Sequence, residues 1–73
     1  MRVYDLKQGE VGKITKIELS GSALERLSAL GVRVGEQVEV ISFSLLKSSV
    51  LISCAAVRVG LRKSLAQKIQ VSV

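Results

Sequence analysis

The chain has no histidine, and its ionisable side chains are one cysteine, one tyrosine, six acids and eleven Lys and Arg. General acid–base catalysis by histidine is excluded by composition, and a carboxylate pair would need environments that push the two pKa values apart. Glu36 and Glu39 are close in sequence, but a turn or strand at that point surrounds them with nothing that would perturb either group, and they read as solvated surface. Cys54 lies among Ile52, Ser53, Ala55 and Ala56 with no neighbouring cation to stabilise a thiolate, and reads as a small buried hydrophobe. Asp5, Glu10 and Glu18 could offer oxygen ligands, yet their spacing does not group them, and histidine-plus-carboxylate sets for transition metals are missing. No catalytic residue, metal site or cofactor is expected.

Binding is the chemistry that remains. A net charge of +5 and a pI near 9.9 favour an acidic partner. Arg58, Arg62, Lys63 and Lys68 are concentrated in the final third, and Lys13 and Lys16 could join them across a barrel to make a cationic rim. Phe43, Leu45, Leu46 and Leu51 form a second candidate surface. Strict alternation from Val38 and Val40 leaves Phe43 and Leu45 outside, so either a bulge returns them to the core or they form an apolar hairpin able to dock a partner or, weakly, a second copy. Nucleic acid is the rival partner that the charge allows. The aromatic residues oppose it, because Tyr4 and Phe43 alone make a poor base-stacking platform.

The elements that must position these residues are punctuated by glycine, since the chain has no proline. Val11 to Leu19 reads as a strand whose apolar phase slips between Ile14 and Ile17, which requires a bulge near Thr15 and Lys16. Ser22-Ala23-Leu24-Glu25 matches a capping box and predicts a helix starting at Ser22, with a Leu24, Leu27 and Leu30 stripe and Gly31 as its left-handed end. Val38 to Leu45 reads as a second bent strand, Leu46 to Ser49 as a hairpin turn, and Val50 to Val57 as a third strand. Val57 to Arg62 reads as a fourth, Ser64 to Lys68 as a helical turn, and Ile69 to Val73 as a closing strand.

About five short bent strands and one short helix in 73 residues predict a mainly β fold, a closed or nearly closed small barrel forming one domain over 1–73. Mean hydropathy is high at +0.41, yet no run approaches the roughly 18 apolar residues of a membrane helix. An acid at position 5 interrupts any signal-peptide core, and with the unpaired cysteine this predicts a cytoplasmic protein without stable membrane insertion.

Three stretches stand in register: Leu6-Lys7-x-Gly9-x-x-Gly12-x-Ile14-x-x-Ile17, Arg26-Leu27-x-x-Leu30-Gly31-x-x-x-Gly35-x-x-Val38-x-Val40, and Leu61-Arg62-x-x-Leu65-Ala66-x-x-Ile69-x-Val71. Together they resemble the FeoA family. Gly9 and Gly12 would turn the chain into the first strand, Gly31 would cap the helix and Gly35 would turn into the second strand. Proline, glycine and alanine are frequent in the family where this chain has Val34, Ala56 and Gly60. The resemblance implies an SH3-like barrel in bacterial ferrous iron uptake, whose partner is a membrane ferrous iron transporter with a cytoplasmic GTPase domain. It also marks Arg62 as the sharpest of the basic candidates. Similar modules end metal-dependent repressors, so a detached regulator module stays open beside the nucleic-acid alternative.

Overall fold

Thr15 is squeezed out of the pairing of β1 (Val11–Ile17), which is why the apolar phase slips there. In the computed structural model, which describes residues 1–73, Ile14 faces Val71 and Lys16 faces Gln70, leaving Thr15 as the extra residue. The same device bends β2 (Gln37–Phe43), where Val40 faces Ile52, Ser42 faces Leu51, and Ile41 is the bulged residue. That bulge returns Phe43 to the inner face, opposite the buried Val50.

β1, β2, β3 (Ser49–Cys54), β4 (Val57–Arg62) and β5 (Ile69–Ser72) form one antiparallel sheet in the order β4-β3-β2-β1-β5. The sheet curls into a small SH3-like barrel but does not close, because β4 and β5 share no ladder. The short helix α2 (Lys63–Ala66) connects them across the seam and buries Ala66 in the core. The inner faces supply Ile14, Val38, Val40, Ile52, Leu61 and Ile69 to a core with no buried polar or charged residue.

The helix α1 (Gly21–Ala29) starts earlier than the capping box predicts. Gly21 takes a φ of +63°, which swings the chain into the helix with Ser20 at the N-cap. Ser22 and Glu25 therefore lie inside the helix, and no side-chain cap bond forms. Of the leucine stripe, Leu27 is buried, Leu24 half-buried and Leu30 exposed. The helix end is as expected. Gly31 at φ +94° lets its N–H reach the Ser28 carbonyl at 3.0 Å while the Val32 N–H reaches that of Leu27 at 2.9 Å. Leu27 and Val32 are both buried at this end, which anchors a nine-residue helix too short to persist alone.

Gly9 and Gly35 also take positive φ, in the turns entering β1 and β2. Gly12 does not turn the chain. It lies within β1, where a Cβ would come 3.1 Å from the Val71 Cβ, so close strand packing accounts for glycine there. The expected third strand is also cut short. β3 ends at Cys54, and Ala55 and Ala56, with φ of +52° and +65°, make the two-residue hairpin turn into β4.

Candidate partner-binding surface

The β2–β3 connection is built to hold an apolar tip in place. The Ser44 N–H donates to the Ser49 carbonyl at 3.0 Å, the Ser49 N–H to Ser44 Oγ at 3.0 Å, and Ser44 Oγ lies 3.1 Å from Ser48 Oγ. Between these ties runs a tight turn, Leu45–Lys47, in which Leu46 and Lys47 take positive φ of +68° and +56°. Such a conformation costs a non-glycine residue on the order of 1–2 kcal/mol. Leu45 and Leu46 project from it 90% and 91% exposed, so the fold gains nothing from their side chains.

Below the tip, Tyr4 and Phe43 meet edge to face, with ring centroids 5.9 Å apart and planes at 89°. Lys47 Nζ sits 4.4 Å from the Phe43 centroid and 5.3 Å from that of Tyr4, and Lys63 Nζ reaches within 5.4 Å of the Tyr4 ring. The Tyr4 hydroxyl donates to the Lys47 carbonyl at 2.8 Å. The Lys63 N–H donates to the Ser48 carbonyl at 3.0 Å, which binds the start of α2 to the hairpin. Leu45, Leu46, Phe43 and Lys63 are thus brought together, with Arg62 next to them opposite Ser49.

The remaining candidates lie apart. Leu51 is half-buried on the outer face of β3 opposite Gly60, and Arg58 is exposed at the far end of β4 near the Ala55–Ala56 turn. Lys13 and Lys16 lie on β1, which pairs with β2 and β5 and shares no ladder with β4. Sequence reasoning missed Tyr4 and Lys47 as parts of the surface. Their contact spans 43 residues and leaves no local pattern.

The acids considered as ligands serve the chain itself. Asp5 Oδ2 accepts from the Arg2 N–H at 3.0 Å and Glu10 Oε1 from the Lys7 N–H at 2.9 Å. Glu18 pairs with the Arg2 guanidinium and accepts from Gln70 Nε2 at 2.8 Å. No three His, Cys, Asp or Glu side chains come together as a metal site. Glu36 and Glu39 line an open groove of about 420 Å³ with Gln37, Ser53 and Ala55. Cys54 is buried, with Sγ 3.6 Å from the Gly31 carbonyl; burial first, and then the charge of Glu36, push its thiol pKa up.

Fold and surface together define the class: a small SH3-like β-domain with its charged side chains on the outside. The FeoA domain matches residues 1–73, and the chain belongs to this family of small accessory domains associated with iron transport. Iron(II) transport protein A from Clostridium thermocellum is 29% identical with a TM-score of 0.94; the match covers 100% of this chain but 45% of that one. The FeoA protein of Chlorobium tepidum is 25% identical with a TM-score of 0.94, over 100% of this chain and 70% of that one. Stenotrophomonas maltophilia FeoA complexed with zinc, described as an SH3 domain protein and a candidate ferrous iron transport activating factor, shares the fold at 22% identity. Its TM-score is 0.81, over 99% of this chain and 89% of that one. No curated protein sequence matches the chain. No helix is long and apolar enough to cross a membrane.

Proposed function

We propose that the protein is a cytoplasmic accessory of ferrous iron uptake that binds the GTPase-containing cytoplasmic region of a membrane iron transporter. It acts by stoichiometric contact, shifting the transporter's conformational balance without catalysing a reaction. The observation that carries this reading is the Leu45-Leu46 tip, two adjacent leucines about nine-tenths exposed on a left-handed turn tied at both ends. Buried in a partner's pocket, each leucine would contribute roughly 1.5–3 kcal/mol. Lys47, Lys63 and Arg62 around the tip supply charge that speeds encounter with an acidic surface. Family membership supports iron transport as the setting.

Nucleic acid fits this surface poorly. The two aromatic rings contact each other edge to face beneath lysine ammonium groups and present no open stacking platform. The test is a pull-down and titration against the transporter's cytoplasmic domain with wild type, Leu46→Asp and Arg62→Glu, each first shown to be folded. Leu46→Asp is expected to weaken binding at least about tenfold, equivalent to 1.4 kcal/mol, and Arg62→Glu to slow association in a salt-dependent way. Wild-type affinity in both variants would refute the proposal.

A further inference from the structure

The two edges of the sheet are finished differently. Along β5, Arg2 forms an antiparallel bridge with Gln70, and the Val71 N–H donates to the Met1 carbonyl at 2.8 Å, so the chain's first residues cover that edge. The outer edge of β4 has no such cover.

The phase of the β3–β4 ladder shows which groups this leaves free. Lys63 N–H to Ser48 carbonyl makes residues 48 and 63 a hydrogen-bonded pair. Ser49–Arg62, Leu51–Gly60 and Ser53–Arg58 are then the pairs whose backbone groups turn away from each other. The two-residue turn gives the same phase, because Cys54 and Val57 flank it as a bonded pair. The N–H and C=O of Arg58 and Gly60 and the N–H of Arg62 therefore point outward from β4, the Arg62 carbonyl being taken up as the N-cap of α2, and both arginine side chains are exposed. Neither arginine is in an ion pair, and the space over Gly60 is empty beside the half-buried Leu51.

We propose that β4 accepts an added antiparallel strand from an acidic, extended segment of a partner protein. Its acids would lie opposite Arg58 and Arg62, with a large apolar or aromatic side chain over Gly60. The main-chain bonds supply binding, and the alternate side chains supply selectivity. A second copy of this chain is the wrong occupant. Antiparallel self-pairing centred on Gly60 sets Arg58 against Arg62 of the other copy at both ends, and like charges directly opposite destabilise a pair. An acidic strand turns both repulsions into attractions. The inference rests on the preceding reading for the existence of a protein partner, but not on the leucine tip.

The test needs no transporter. A capped peptide of sequence Thr-Glu-Val-Tyr-Val-Glu-Thr is titrated into isotopically labelled protein, with the same peptide carrying lysine for glutamate as control. The amides of Arg58, Gly60 and Arg62 should shift and gain protection from exchange. The Arg58→Glu/Arg62→Glu double variant should bind the acidic peptide at least about tenfold less tightly and bind the lysine peptide instead, an exchange that loss of folding could not produce. Leu46→Asp should leave the titration unchanged. Shifts mapping elsewhere, equal binding by the double variant, no binding, or a wild-type dimer paired through β4 would each overturn the proposal. A null peptide result beside a Leu46-dependent pull-down would remove this edge and leave the tip standing.

Discussion

The Tyr4 hydroxyl donates a 2.8 Å hydrogen bond to the backbone carbonyl of Lys47, tying the start of the chain to the one turn where two large apolar side chains face water. Tyr4→Phe keeps the ring contact with Phe43 and removes only that bond. An exposed neutral hydrogen bond contributes roughly 0.5–1.5 kcal/mol, so the melting temperature should fall by several degrees. Amide exchange at Leu46, Lys47 and Ser48 should accelerate more than in the core strands. Unchanged exchange at the tip would mean that the hydroxyl does not hold it.

Stability and binding should move in opposite directions at Leu46. Replacing it with glycine removes the left-handed strain at φ +68° and deletes a side chain that touches little. A net gain of up to about 1 kcal/mol is expected after glycine's own entropic cost. Denaturant titration reads the gain, and the pull-down should read a loss of transporter binding. A variant that is both less stable and fully competent would contradict this account of the tip.

Gly31 and Ala55 are coupled across the top of the sheet. A Cβ on Gly31 would lie 2.9 Å from the Ala55 Cβ, with a backbone φ of +94° that already disfavours it. Gly31→Ala should cost about 2 kcal/mol or more, from left-handed strain and the clash together. Ala55→Gly in the same chain should restore part of that loss. Strict additivity in the double-mutant cycle would show that the two positions do not press on each other.

Ala56 offers a gain without a functional cost. It occupies the second residue of a turn in which both residues are left-handed, the position where glycine is favoured. Ala56→Gly should raise stability by up to about 1 kcal/mol and leave the pull-down unaltered.

Cys54 sets a pH limit. Burial and Glu36 raise its thiol pKa above the ordinary 9.0, so the folded state holds the proton more tightly than the unfolded state. The resulting stability is fully present below pH 9.0. It is lost as pH climbs from there through the raised folded value, with a slope of at most about 1.36 kcal/mol per pH unit. Cys54→Ala should lower stability near neutrality and flatten this alkaline decline relative to wild type. Parallel alkaline curves would rule out the thiol as the cause.

The bends at Thr15 and Ile41 were legible because a two-residue period cannot slip phase without an extra residue. The helix end at Gly31 was legible for a related reason: few residues but glycine take that backbone conformation. The helix start was not, since Ser22 and Glu25 satisfy a local pattern that the left-handed Gly21 one residue earlier pre-empts. The Ala55–Ala56 turn was also hidden, because alanine is a poor left-handed residue and apolar residues continue from β3 into β4. Exposure of Leu45 and Leu46 could be posed only as one of two outcomes. The contacts that hold the turn beside them come from Tyr4 and Lys63, far away along the chain.

The antiparallel pairing of Met1 and Arg2 with Gln70 and Val71 has a mechanical consequence. Force applied at residues 1 and 73 would load that pairing from one end, opening its bonds in succession like a zipper instead of shearing them together. Spliced into a loop of a larger protein, the domain would need linkers that span only a short gap.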